Sequence, residues 1–130
     1  MLKPNSLAVT LLAAACSLPV FSQESEKAME LHRQAWKAAI KCGSDYARKS
    51  AKISATANEI ADAARSVCGD EYGEAEVTLQ NWSRVRMIER GARSEAALVN
   101  AGASDVANMA TEFRRFVISE VIAERTETAK

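Results

Sequence analysis

CGSDYARKSAKISATANEIADAARSVC, residues 42–68, contains the features that decide the fold. A cysteine stands at each end, and Thr56-Ala57-Asn58-Glu59 between them has the pattern of a capping box. In that motif the Thr56 hydroxyl accepts from the Glu59 N–H, while the Glu59 carboxylate accepts from the Thr56 N–H. The pattern predicts a helix that begins after Thr56, and therefore two helices joined by a short turn.

The cysteine positions agree with a helical hairpin. Cys42 and Cys68 each lie 13 residues from Ala55, in the middle of the predicted turn. Two antiparallel helices place equidistant residues at equal height, here about 20 Å from the turn at 1.5 Å per residue. The two cysteine side chains are therefore able to face each other.

The charges of the two helices are opposite. Residues 26–52 hold seven basic side chains and three acidic ones, whereas residues 57–76 hold one basic and six acidic. Opposite signs favour adjacent helices, although each exposed pair contributes only tenths of a kcal/mol to about one. The charge pattern thus supports the same hairpin independently.

Apolar residues three or four apart predict the extent of each helix. The first runs from Glu26 to about Lys52. Its apolar stripe consists of Ala28, Leu31, Ala35, Ala39, Cys42 and Tyr46, widened by Trp36 and Ile40. The second follows Thr56, with Gly69 and Gly73 as places where it bends or pauses. Its face consists of Ile60, Ala64, Val67, Cys68, Tyr72, Ala75, Leu79 and Trp82.

The C-terminal part of the chain carries the densest apolar pattern. A helical pattern covers residues 92–101, pauses at Gly102 and restarts after Ser104 or Asp105, either of which is a good cap. The face of this last helix consists of Val106, Met109, Ala110, Phe113, Phe116, Val117, Val121 and Ile122. From Thr126 onward the sequence is polar and is expected to fray. We therefore predict an all-α fold, an antiparallel bundle of three to five helices with one intramolecular disulfide.

The first 22 residues have the order of a secretory signal peptide. Lys3 precedes the apolar run Leu7–Val20, and Ser22 precedes polar Gln23, which predicts cleavage after Ser22. The run is shorter than the roughly 20 residues that cross a bilayer, so no transmembrane segment is expected. The sequence therefore predicts that the protein is exported, either to the periplasm or to the medium.

An alternative is a lipoprotein, in which Ala13-Ala14-Ala15-Cys16 is the processing site and Cys16 carries lipid. Under the signal-peptide interpretation, residues 23–130 form one domain with two cysteines, Cys42 and Cys68. An exported chain meets oxidising conditions, in which such a pair forms a disulfide.

Composition excludes some function classes. Removing residues 1–22 takes only Lys3 from the 17 basic side chains and none of the 17 acidic ones, which leaves 16 against 17. A near-neutral domain gives no reason to expect nucleic acid as a partner. Metal sites combine several His, Cys, Asp or Glu side chains, whereas His32 is the single histidine and the cysteines bond each other.

No catalytic motif occurs in the chain, and none of the known nucleophile, haem or cofactor patterns matches. We therefore predict no catalytic, cofactor-binding or metal-binding residue. Four acidic residues of the second predicted helix are interpreted as a solvated face opposite the basic first helix: Asp70, Glu71, Glu74 and Glu76. Trp36, Trp82, Phe113 and Phe116 are interpreted as core anchors.

One surface is a candidate for interaction. The apolar arc of the last helix is wider than one core stripe requires, so part of it should stay exposed or meet a partner. Its candidate residues are Phe116, Ile118 and Ile122. Arg86, Arg90 and Arg93 are predicted to share a helix face that could meet an anionic surface.

The order Trp36, Cys42, then Ile-Ala-Asp-Ala-Ala at residues 60–64, then Cys68 resembles a pattern in exported bacterial proteins of uncharacterised function. The resemblance covers about 35 residues and implies a bacterial origin and a cysteine-paired helical hairpin. It implies no activity.

Taken together, these features predict a non-enzymatic exported helical protein that acts through protein–protein contacts. The partner is expected to be another protein, with a homo-oligomer as an alternative. A second hypothesis is a periplasmic module that binds a small ligand, and a third is a chaperone-like protein of acid or envelope stress. Enzymatic chemistry with carboxylates alone is a further alternative.

Overall fold

The computed structural model describes residues 23–130, which form an all-α antiparallel bundle. The predicted signal peptide, its cleavage after Ser22 and the alternative lipidation of Cys16 lie outside the described residues. The described part contains four helices and no strand. They are α1 (Gln23–Ser50), α2 (Ala57–Val67), α3 (Gly69–Glu89) and α4 (Glu95–Thr128).

The bundle has three sides: α1, α4, and a third side that α2 and α3 form together, with a bend between them. α1 packs on α3 and α4, while α2 continues the line of α3 and packs chiefly on α4. Along α1, His32 bonds the Ala75 carbonyl and Cys42 bonds Cys68, so α2 and α3 run antiparallel to α1. Trp36 contacts Phe113 and Ser44 bonds Glu120, so α4 runs parallel to α1. In the part of the chain that the structure describes, no helix is long and apolar enough to cross a membrane.

The turn between α1 and α2 is held from both sides. The predicted capping box is present, with the Glu59 N–H donating to the Thr56 hydroxyl and the Thr56 N–H donating to the Glu59 carboxylate at 2.7 Å. From α4, the Arg125 guanidinium donates to the carbonyls of Ala51, Ile53 and Ala55 at 2.9, 3.0 and 2.6 Å.

The predicted disulfide is confirmed. The sulfur atoms of Cys42 and Cys68 lie 2.06 Å apart, and their Cα atoms 5.9 Å apart. Cys68 also ends α2 and precedes α3, yet its N–H donates to Ala64 and its carbonyl accepts from Tyr72. Helical hydrogen bonding therefore passes through a bend at Cys68, next to Gly69, while Gly73 lies inside α3 without a break.

The core lies between the three sides of the bundle and combines residues from all four helices. Phe113 of α4 is fully buried and makes edge-to-face contacts with Trp36 of α1 and Tyr72 of α3. Gly43 of α1 lies directly against Phe113, since an added Cβ would be 3.0 Å from its ring. Val117 completes this layer and has no exposed surface. The expected aromatic anchors Trp36, Trp82 and Phe116 are partly buried against the core.

Two residues of the stripes predicted for the first two helices do not reach the core. Leu31 is 47% exposed and Val67 is 61% exposed. On α1 the buried stripe instead passes through Gly43 and Ala47 toward α4. Because α1 contacts two long helices rather than one, its buried residues differ from those that the apolar spacing predicts.

The prediction of a pause at Gly102 is wrong, because α4 is one continuous helix of 34 residues. Its N-cap is Ser94, and the preceding turn contains Gly91, whose φ of 92° suits glycine. Asp105 caps no helix, because its carboxylate accepts from Ser83 and Arg86 of α3. The helix also continues to Thr128, beyond the expected fraying point at Thr126.

Candidate functional site

Of the three apolar residues of the predicted interaction surface, Phe116 lies on a different side of α4 from Ile118 and Ile122. Phe116 is partly buried and lines a groove with Ile40 of α1, whereas Ile118 is packed against the core. Ile122 is 56% exposed. Residues 116 and 118 differ by about 200° around a helix, so the structure does not bring them together. It does leave part of the predicted arc exposed, at Ile122.

The three arginines do not share a helix face, because α3 ends at Glu89. Arg86 lies over the Trp82 ring, 4.7 Å from its centroid, and pairs with Asp105 at 3.0 Å. Arg93 is in the connection to α4, where its guanidinium donates to two backbone carbonyls. Arg90 follows the end of α3 and is exposed. The predicted basic face is therefore wrong.

His32 belongs to a small polar and aromatic cluster between α1, α3 and α4. Its ring stacks on Trp82 with centroids 6.2 Å apart, and its Nδ1 lies 3.1 Å from the Ala75 carbonyl oxygen. Burial lowers the His32 pKa, opposed by the bond to Ala75 and by the charge of Asp105. Because a carbonyl oxygen only accepts, His32 donates its Nδ1–H to Ala75, and the lowered pKa favours the neutral ring. Across residues 23–130 no group of three potential metal ligands occurs.

A different surface emerges from the structure, a groove between α3 and α4 on the side away from α1. We call it the α3–α4 groove. Its volume is about 370 Å³. Its lining residues are Val77, Gln80, Asn81, Arg84, Leu98, Val99, Gly102 and Ala103. All of them come from α3 or α4, so neither α1 nor α2 contributes to the lining.

Each side of the α3–α4 groove carries one exposed valine. Val77 on α3 is 63% exposed, and Val99 on α4 is 58% exposed. The floor contains Leu98, which is buried, and Gly102, which has no side chain to fill the space. A protein surface usually leaves such residues scattered singly, whereas here two β-branched side chains border one depression.

The charges of the α3–α4 groove lie at one end. Arg84 of α3 donates to the Glu95 carboxylate of α4 at 3.0 and 3.4 Å. Both side chains are more than half exposed. This pair joins the two rims where α4 begins, and the remaining lining residues are uncharged.

These side chains can make apolar contacts and amide hydrogen bonds. Gln80 and Asn81 supply donors and acceptors, and the valines supply apolar area. Such a lining suits the apolar face of a helix or strand from another protein chain.

Sequence reasoning missed this groove because it interpreted Gly102 as the end of a helix. The signal was present in the apolar residues Val77 and Val99, which stood outside the predicted stripes. Only the pairing of α3 with α4 shows that they border the same depression.

The chain matches no known protein family, and no curated protein or solved structure shows significant similarity to it. The resemblance to exported bacterial proteins stays a prediction.

Proposed function

We propose that this chain is a non-enzymatic helical protein of an oxidising, exported compartment, and that it acts by binding another protein chain in the α3–α4 groove. The single observation that supports the binding role is the groove itself, open to solvent and bordered by Val77 and Val99. The Cys42–Cys68 bond supports the compartment, because disulfides persist where thiols are not kept reduced.

The rest of the bundle supports this choice of surface. The groove between α1 and α4 contains Phe116 but is crossed by bonds of Ser44 and Arg48 to Glu120. The depression beside His32 and Trp82 is smaller, about 280 Å³, and its lining includes the carboxylates of Asp105 and Glu112. The α3–α4 groove is crossed by one ion pair at its end and is otherwise open.

The test is photo-cross-linking in living cells that produce the full chain. A photo-reactive benzoylphenylalanine replaces Val77 in one variant and Val67 in a control, since both valines are exposed but Val67 lies on α2, away from the groove. We expect a discrete cross-linked product from position 77 and none from position 67. The absence of any product at position 77 would contradict the proposed binding role.

A further inference from the structure

We infer that the solvent-facing side of α1 binds the surface of an anionic phospholipid membrane. This inference is independent of the α3–α4 groove, to whose lining α1 does not contribute. Five cations lie on this side of the molecule, and all of them are exposed. They are Lys37, Lys41, Arg48, Lys49 and, just after the end of the helix, Lys52. We call these five residues the α1 surface.

The first argument is the charge of the α1 surface. Residues 37–52 hold its five cations and a single anion, Asp45. Two further carboxylates border it, Glu71 of α3 and Glu120 of α4, so five cations face three carboxylates. The full sequence is balanced, with 17 basic and 17 acidic side chains, and the positive excess is therefore local to this side. Such an excess is complementary to an anionic partner.

The bundle does not use most of these cations. Lys41 and Arg48 form ion pairs, but their side chains remain 77% and 61% exposed. The other three, Lys37, Lys49 and Lys52, form no ion pair with any residue that the structure describes. None of the five pairs with α2 or α3, so they remain available to a partner.

The second argument is the exposed apolar side chains beside the cations. Leu31 precedes Lys49 by 18 positions, about five turns, so the two residues lie on the same side of α1. Val67 lines the same depression as Lys49, and Ile53 follows Lys52 in the turn. Leu31, Val67 and Ile53 are 47%, 61% and 54% exposed. Apolar side chains thus border the cations at three places.

This combination distinguishes a membrane from a soluble anion. A soluble polyanion attracts the cations but leaves the three apolar side chains in water. At a lipid surface the cations meet the headgroups while apolar side chains enter the boundary with the acyl chains. Stable attachment needs two such signals together, and the α1 surface supplies both.

The types of cation also favour a lipid surface. Four of the five are lysines, whose flexible stems carry a point charge and adapt to any arrangement of headgroups. A site that holds one phosphate or carboxylate in a fixed geometry is better served by the planar fork of arginine. Binding through α1 also leaves the α3–α4 groove, on the side away from α1, open to solution.

The test is co-sedimentation of the oxidised protein with lipid vesicles. One set contains equal amounts of phosphatidylglycerol and phosphatidylcholine, and the other contains phosphatidylcholine alone. At low salt we expect binding to the anionic vesicles to be at least about tenfold stronger than to the neutral ones. Most of this binding should be lost at about 0.5 M salt, where charges are screened. All variants carry the same N-terminus as the unmodified protein, so differences between them report on the substituted residues.

A double charge reversal tests the cations. Lys37→Glu with Lys49→Glu should weaken binding to the anionic vesicles at least about tenfold, since each cation near such a surface contributes about fivefold. The matched control, Arg90→Glu with Arg115→Glu, changes the net charge equally at exposed arginines outside α1 and should weaken binding less than about threefold. If the reversal disturbs the fold in circular dichroism, Lys37→Gln with Lys49→Gln removes the same two charges and keeps the stems.

A single apolar substitution tests the second signal. Ile53→Ser leaves the net charge unchanged and should weaken binding about fivefold, because less apolar area enters the lipid. Ile88→Ser is its control, since Ile88 is also exposed, at 44%, but lies in the last turn of α3. This control should bind like the unmodified protein.

Three results would overturn the inference: no binding to anionic vesicles at low salt, equal binding to neutral vesicles, or equal losses in the lysine double variant and its arginine control. None of these results bears on the α3–α4 groove, because the cross-link at position 77 tests that surface separately.

Discussion

Arg125 shows how much one side chain contributes to this bundle. Its guanidinium reaches from α4 to three carbonyls in and next to the α1–α2 turn. These three carbonyls follow the end of α1 at Ser50, and a cation beside a helix C-terminus is favourable for the helix dipole as well as for hydrogen bonding. The planar arginine also fits several acceptors at once, which a lysine does not.

Replacing Arg125 with alanine should therefore destabilise the protein by about 2 kcal/mol, because three charge-assisted bonds are lost at a partly exposed site. Urea denaturation measures this difference. The matched control is Arg115→Ala, an exposed arginine of the same helix, which should change stability by less than about 0.5 kcal/mol. Equal effects of the two substitutions would refute the role of Arg125.

His32 makes stability depend on pH. Its pKa in the folded protein is lowered, chiefly by burial, so the folded state binds its proton less readily than the unfolded chain. The stability that neutral His32 contributes is complete above the unfolded pKa of about 6.5 and is lost as the pH falls below it. We expect a lower urea midpoint at pH 5 than at pH 7.5.

Two measurements check the His32 prediction. NMR titration of the single histidine should give a pKa below that of the chain unfolded in urea. His32→Gln should reduce the loss of stability between pH 7.5 and 5, since the group that takes up the proton is absent. A titration midpoint above that of the unfolded chain would show that the attraction of Asp105 outweighs burial.

At the scale of helices, two glycines differ in whether the packing of neighbouring helices requires them. An added Cβ at Gly43 would press on Phe113 and Val117, at 3.0 and 3.2 Å. At Gly73, within α3, it would meet nothing within 4 Å.

Gly43→Ala should accordingly destabilise the bundle by about 1 to 2 kcal/mol, because overpacking between α1 and α4 exceeds the gain in helix propensity. Gly73→Ala should stabilise it by about 0.5 to 1 kcal/mol, since only the propensity changes. Thermal melts of both variants give the two signs. A stabilised Gly43→Ala variant would mean that α1 and α4 are not in close contact there.

The elements also show how far the sequence predicts this fold. The capping box of Thr56 and Glu59 is a local motif, so its prediction was right. Asp105 has the properties of a cap but bonds Ser83 and Arg86 across the bundle, which no local pattern reveals. The exposure of Leu31 likewise depends on which helices pack against α1. The α3–α4 groove needed the pairing of two helices, and the sequence indicated only its separate residues.

At the scale of the whole molecule, the core is thin. Many of its buried side chains are alanines, and Phe113 is the largest fully buried residue. A domain of this size is only marginally stable, by about 5 to 15 kcal/mol. The covalent link between Cys42 and Cys68 is therefore a large part of the total.

Reduction of the disulfide should lower the free energy of unfolding by about 3 kcal/mol, because the unfolded chain regains the freedom of the closed loop. Melting with and without reductant gives the shift. A double variant, Cys42→Ala with Cys68→Ala, should melt like the reduced protein and should not respond to reductant. If the oxidised and reduced proteins had the same midpoint, the bond would contribute nothing to stability.

The bonds from Arg125 to the α1–α2 turn also bear on the order in which the chain folds. Any chain emerges from the ribosome with its N-terminus first, so both cysteines and the capping box of α2 are available long before residue 125. The guanidinium lies 74 positions after Ala51. The hairpin can thus form early, but its turn gains its final three bonds only after residue 125 has been synthesised. A late helix thus completes a turn that an early hairpin begins.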